Sequence, residues 1–275
     1  MNGDDLTILI PVLRRPWRIA HVYESARAAT PDAQILFIAS PDDGAELGAL
    51  DAFGVEYIVT TWPGGDRGDY ARKINLGYLH SSRPVLFTGA DDLDFHPDWY
   101  ERARPLLEVP DEVVQVMPAG GVLIGPGKIP QIGVVGTMDT CNARTMDMWN
   151  GEPRVPTHST HSLVARWYAD QGGSPDRDHM IYFTEYWHEY CDDELIGTAM
   201  ARGAYAHSDA VVEHLHPNRD AGDHPNPNDV PVPLDEVYLL GRERSRLSRR
   251  IFFARRRLWQ GPPVAHRRGH DLTGR

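Results

Sequence analysis

Residues 6–90 alternate between short continuous apolar runs and segments whose apolar side chains recur at helical spacing, and few folds accommodate that alternation. "LTILIPVL" (6–13) is the first run. "RPWRIAHVYESARAAT" follows, with Ile19, Val22, Tyr23 and Ala26 at helical spacing and Pro16 placed for a first turn. "QILFIAS" predicts a second strand closed by the turn-forming "PDDG", "AELGALDAF" a short helix, and "VEYIVTT" a third strand. After the loop "WPGGDRGD", "YARKINLGYLH" reads as a helix and residues 84–90 as a fourth strand. Strands alternating with helices at this interval predict an α/β fold, a mostly parallel central sheet with helices on both faces. In such sheets ligands bind beyond the carboxyl ends of the strands, near the point where strand order reverses.

The second half is less regular. Residues 131–140 predict a strand, residues 141–180 long connections over the site, and "MIYFTEYWHEYCDDELIGTAMARG" one or two helices ending at Gly203. "AYAHSDAVVEHLHP" reads as a final strand and "NRDAGDHPNPNDVPVP" as a loop. From Arg242 to Arg257 there are eight arginines against one acid, Glu243. The formal net charge of −11 argues against a general nucleic-acid binder. Two cysteines, Cys141 and Cys191, make neither a metal-ligand spacing nor a disulfide framework, so a cytoplasmic location is expected. No run approaches the ~18 apolar residues of a membrane span.

The fourth apolar run ends in carboxylates: Val85, Leu86 and Phe87 lead to Asp91, Asp92 and Asp94. One reading is a solvated turn that caps the next helix. The other is a divalent-cation site, because Mg²⁺ and Mn²⁺ prefer carboxylate oxygens and water. Neither a G-x-x-x-x-G-K loop nor a G-x-G-x-x-G after the first strand is present. A diphosphate ligand here would be held by metal and basic side chains.

The order of "QILFIAS", "INLGY", "VLFTGADD" and "CDDEL…RG…VVEHLH" resembles the GT-A fold glycosyltransferases, in particular the large family-2 group, over residues 6–216. That resemblance implies an Asp-x-Asp motif at the strand end, with Gly89 at its first position, Ala90 between and Asp91 at its second. Asp92 or Asp94 would compensate for the missing first aspartate. Asn75 and Gly77 match the family's Asn-x-Gly helix, one residue short of the usual spacing. Asp192 occupies the general-base position, with Asp193 as the alternative, Cys191 replacing the usual glutamate and Gly203 eleven residues on. His214 or His216 would approach the metal or diphosphate. Pro11, Ser40 and Asp42 stand at the nucleotide-binding strand ends, and Arg72 and Lys73, before the acidic strand, could approach phosphate or simply be solvated.

The implied activity is a metal-dependent transfer, with Mn²⁺ or Mg²⁺, of a sugar from a nucleotide-diphosphate donor to an acceptor hydroxyl with inversion. A glycan, lipid, protein or modified base could be the acceptor. Two other classes stay open. "HSTH" places His158 and His161 three apart, which on a helix could ligate zinc in a hydrolase, with "HLH" (214–216) adding to the set. No H-E-x-x-H is present, however, and an acceptor-loop or helix-cap place is the favoured reading of these histidines. A catalytically inactive nucleotide-sugar-binding module is the other. Tyr182, Tyr186 and Tyr190 fall four apart, the pattern of a core stripe, with Trp187 beside them as a stacking platform for an acceptor sugar. The expected domains are a catalytic unit over 1–216 (donor half 1–98, acceptor half 99–216), a linker over 217–237 and an arginine-rich helical extension over 238–275. That extension is expected to pack on the acidic domain, with weak membrane or anionic-partner contact as the alternative.

Overall fold

Every residue from Leu6 to Pro11 is buried, so this first strand, β1, must lie inside the sheet. The computed structural model describes residues 2–107, 132–140, 148–149, 152–153, 158–187, 189–215 and 234–260. After β1 come α1 (Ile19–Ala29), β2 (Gln34–Ala39), α2 (Gly44–Phe53), β3 (Tyr57–Val59), α3 (Asp69–His80) and β4 (Val85–Thr88). β1 pairs in parallel with β2 on one side and β4 on the other, and β2 pairs in parallel with β3. The chain thus moves outward from β1 to β3 and then returns to the far edge of β1. That reversal opens a crevice beyond the carboxyl ends of β1 and β4.

Two glycines bring backbones together around it. A Cβ on Gly77 of α3 would stand 2.8 Å from a Leu9 methyl and 3.1 Å from an Ile38 methyl, so this helix lies directly on the sheet. Gly89 donates its N–H to the Leu9 carbonyl at 2.9 Å, and a Cβ there would meet that same oxygen at 2.7 Å. The close approach accounts for glycine at the position where the resembling family carries aspartate.

The rest of the chain adds β5 (Leu93–Phe95), α4 (Trp99–Ala103), β6 (Val134–Met138), the two-residue strands β7 (Met148–Trp149) and β8 (Glu152–Pro153), β9 (Ser162–Ala165), α5 (Arg166–Asp170), α6 (Cys191–Ala201), β10 (Tyr205–His214), α7 (Glu236–Arg255) and α8 (Arg257–Gln260). The eight-stranded sheet runs β3-β2-β1-β4-β9-β6-β10-β5. β9 is antiparallel to both of its neighbours and joins the two halves. The core is continuous across the join, with Phe87, Phe95, Trp99, Val134, Leu163 and Val164 all buried in it.

Two expectations need correction. Residues 158–170 are not all connection, since "SLVA" forms the central strand β9 and Arg166–Asp170 a helix. His158 and His161 lie in the loop that approaches that strand. The helix expected from Met180 begins only at Cys191. Tyr190 has φ +79°, a left-handed conformation that a helix cannot pass through. The Asn75 carboxamide takes the N–H groups of Ile181 and Tyr182 at 2.9 and 3.0 Å, which fixes that segment as a turn. Tyr182 and Tyr186 are nonetheless buried, so their apolar spacing reports core without reporting helix. Cys141, His216, most of the expected linker (217–233) and residues 261–275 lie outside the described residues. No helix among the described residues is long and apolar enough to cross a membrane.

Candidate active site

β1 ends at Pro11, and Arg14 (φ +54°) turns the chain so that Arg15 points inward. Two acids of the α2 region hold this turn. Asp43 accepts the Arg14 N–H at 2.6 Å and also caps α2 through the Glu46 N–H, while Glu46 accepts the Arg15 N–H at 2.7 Å. The result is a guanidinium that is only 4% exposed, placed among the carboxylates that follow β4. Arg15 Nη1 lies 3.0 Å from Asp91 and 3.3 Å from Asp92, and its Nε lies 2.8 Å from Asp235, the N-cap of α7. Tyr238 stacks on the guanidinium at 4.1 Å and donates its hydroxyl to Asp92 at 2.6 Å. Asp92 also lies 3.3 Å from His214 Nε2 at the end of β10.

These contacts divide the two aspartates. Burial pushes the Asp91 carboxyl up and Asp92 adds to that, Arg15 offsetting part of it, so that it rests at about 6. Burial also opposes the charge on Asp92, but His214 and Arg15 outweigh it and hold this carboxyl well below the usual range. Asp94 faces away and accepts the Ser25 hydroxyl at 2.9 Å. Asp92, and not Asp94, is therefore the acid that stands with Asp91.

The acids border a cleft of about 580 Å³, whose lining brings together residues far apart in sequence. Pro11, Lys73, Ala90, Asp91, Asp92, Asp192, Asp193 and His214 all line it, together with Trp187. Ser40, Asp42 and Asn75 do not. Ser40 Oγ is buried behind the loop containing Gly64, Asp42 accepts the Gly64 N–H at 2.8 Å, and Asn75 is committed to the turn at Ile181 and Tyr182. Lys73 is buried, its ammonium shared between Asp69 at 3.0 Å and the Val12 carbonyl at 2.8 Å.

A second group gathers at the start of α6. His158 Nδ1 lies 3.1 Å from Asp193 and its Nε2 3.9 Å from Asp192. The three side chains offer ligand atoms within 4.8 Å of one another, the only such group among the described residues. Nearby, His161 Nδ1 is 2.6 Å from the Thr88 carbonyl, an oxygen that can only accept, so the proton sits on Nδ1. Burial pushes this imidazole down to about 3, so it is neutral, and its Nε2 lone pair is buried without a hydrogen-bond partner. Arg15, Tyr238 and Asp235 are the site residues to which sequence reasoning assigns no place, whereas it marks His158 and His161 only as zinc-ligand or acceptor-loop candidates. Only the acid-rich β4 end hinted that a cation must stand there.

No protein-family model matches the sequence, and no curated protein matches it. Solved structures do. The mannosyltransferase PcManGT from Pyrobaculum calidifontis, solved with GDP-Man and Mn²⁺, superposes with a TM-score of 0.52 at 12% identity, over 93% of this chain and 65% of that one. Glucosyl-3-phosphoglycerate synthase from Mycobacterium tuberculosis, solved with Mn²⁺, UDP-Glc and phosphoglyceric acid, superposes with a TM-score of 0.53 at 14% identity, over 91% of this chain and 79% of that one. The fold is GT-A. Within this GT-A sheet the two acid groups come from the end of β4 and the start of α6, and both open into one cleft.

Charge decides what a GT-A cleft of this composition can hold. Eight carboxylates line it against three permanent cations, Arg15, Lys73 and Arg244. Arg15 and Lys73 are already paired with acids, and Arg244 Nη1 reaches the Gly65 carbonyl while its guanidinium stacks on Trp187 at 5.1 Å. A polyanionic ligand could enter only with further positive charge. Cys191 also lines the cleft, but burial pushes its thiol up and keeps it protonated, so the donors on offer are carboxylate oxygens with imidazole nitrogens, a set that accommodates Mn²⁺ or Mg²⁺.

Proposed function

We propose that this chain is a glycosyltransferase that moves a sugar from a nucleoside-diphosphate donor to an acceptor hydroxyl, using Mn²⁺ or Mg²⁺. The observation that carries the reading is the opening of the Asp91–Asp92 pair and the Asp192–Asp193 pair into one cleft on a GT-A sheet. Two neighbours of that fold bind GDP-Man or UDP-Glc together with Mn²⁺.

Asp91, Asp92 and His214 would hold the cation, although their ligand atoms are not gathered as those of His158, Asp192 and Asp193 are, and the bound cation would neutralise charge on the departing diphosphate, usually the largest catalytic contribution. Arg15 and Tyr238 keep the two aspartates oriented and share their charge. Asp192 accepts the proton of the acceptor hydroxyl, a role worth ~10²–10⁴-fold in rate. His158 steadies Asp192 and Asp193. With one base and no second carboxylate assigned as nucleophile, displacement is direct and the anomeric centre inverts. Pro11 and Ala90 bound the donor pocket, and Trp187 offers its ring to the acceptor. Ser40, Asp42 and Asn75 act behind the cleft wall. A catalytic unit over 1–216, completed by Asp235 and by Tyr238 and Arg244 of α7, carries this chemistry.

Thermal melting with UDP-, GDP- and TDP-sugars, each with and without Mn²⁺, tests the reading. One nucleotide series should raise Tm only with metal, and the matching donor should be hydrolysed slowly to free sugar. No shift with any donor in the presence of Mn²⁺ would overturn it.

The His158–Asp192–Asp193 group favours a second reading, a metal-dependent hydrolase. Turnover of simple esters or phosphoesters with zinc and no nucleotide sugar would select it.

A further inference from the structure

The inward side of α7 closes the cleft with Tyr238, Gly241 and Arg244, and the outward side is built differently. Leu239, Glu243, Arg246, Arg250 and Phe253 follow one another at intervals of four, three, four and three residues, so they share one face. All five are exposed, as are Leu247 and Arg249 on its flanks and Arg256, Arg257 and Leu258 beyond its end, so the arginines outnumber the acid Glu243. Leu239 and Phe253 are each 52% exposed, Leu247 42% and Leu258 44%, large values for apolar side chains. Arginines interleaved with exposed leucine and phenylalanine along a 20-residue helix make a surface that is both cationic and apolar.

We infer that this outward face of α7 and α8 seats on an anionic lipid surface. The chain carries a net charge of −11, so most of its surface is repelled by an anionic bilayer. This face has the opposite sign and would set the orientation of approach. Its apolar side chains favour lipid over nucleic acid, because a phosphate backbone gives exposed Leu and Phe nothing to enter, whereas the boundary between headgroups and acyl chains does. The helix would lie in the interface and not cross it. Because its other side forms a cleft wall, docking places the cleft beside the bilayer. The inference stands independently of the transferase reading, since lipid binding needs no turnover.

Flotation of the intact protein with phosphatidylglycerol–phosphatidylcholine vesicles in equal parts, against pure phosphatidylcholine vesicles, tests it. Binding is expected only to the anionic vesicles and should fall with added salt. The triple variant R246Q/R249Q/R250Q should lose about a hundredfold in affinity, on the basis of the contribution of basic residues near anionic headgroups. The variant L247S/F253S should lose about tenfold, as expected for withdrawing two apolar side chains from the interface. All five side chains are exposed, and both variants should melt with the wild type. Equal or absent binding of the wild-type protein to the two vesicle types would overturn the proposal. So would full binding by L247S/F253S combined with equally tight, salt-sensitive binding to single-stranded DNA, which would mark the face as a general polyanion surface.

Discussion

Glu46 on α2 is fully buried, with one carboxylate oxygen on the Arg15 N–H at 2.7 Å and the other buried without a partner. Burial pushes this carboxyl up from 4.5 to about 7, the Arg15 amide offsetting part of the effect. At 1.36 kcal/mol per unit, the charged form is penalised by about 3 kcal/mol. Between those two values the folded protein retains a proton that the unfolded chain has lost. Stability therefore falls as pH rises through this window and levels off above it. Glu46→Gln keeps an acceptor for the Arg15 N–H and cannot ionise. Its stability should match the wild type at about pH 4 and exceed it by up to about 3 kcal/mol at about pH 8. Urea unfolding across that range, with a common m value, measures the difference. A difference that does not change with pH, or a variant less stable than the wild type at about pH 8, would refute the reasoning.

Arg15→Met leaves Asp91, Asp92 and Asp235 without their shared counter-ion, and breaking a buried pair from one side costs about 3–5 kcal/mol. A large drop in Tm is expected, partly restored by Mn²⁺, and loss of less than about 1 kcal/mol in denaturant unfolding would contradict the pairing. Asp192→Asn should lower kcat by ~10²–10⁴-fold while donor-induced thermal shifts persist; an unchanged kcat would remove Asp192 as the base. Gly89→Asp installs the aspartate carried by the glycosyltransferases that the sequence resembles and should destabilise by about 1–3 kcal/mol, because the new Cβ meets the Leu9 carbonyl. Calorimetry showing no loss would refute that account of the glycine.

The first half of the sheet was legible because each element announced itself: the apolar runs at Leu6–Pro11, Gln34–Ala39 and Val85–Thr88 are buried strands, and the helically spaced segments between them are α1, α2 and α3. β9 was not legible. Its four residues sit among polar neighbours, too few to show a period, and only pairing with β4 and β6 makes them a strand. The tyrosine spacing before α6 misled, since burial at four-residue intervals was supplied by packing and the left-handed Tyr190 broke the helix. Asp91, Asp92, Asp192 and His214 were readable as chemistry-bearing residues, and they line one cleft. Arg15 could not be singled out, because its partners are 76, 77 and 220 residues away and one of them belongs to α7.

The place of β9 also dictates when the sheet can close. β4 is wholly buried, yet the edge it turns away from β1 is covered only by residues 163–165, which the ribosome supplies much later. Until then a nascent chain that has assembled β1 to β4 presents a bare, apolar strand edge, a template for pairing with other molecules. Closure over so long a separation in sequence makes completion of the sheet slow. Chains truncated before Ser162 should accordingly accumulate as aggregates, while those extended through β10 stay in solution.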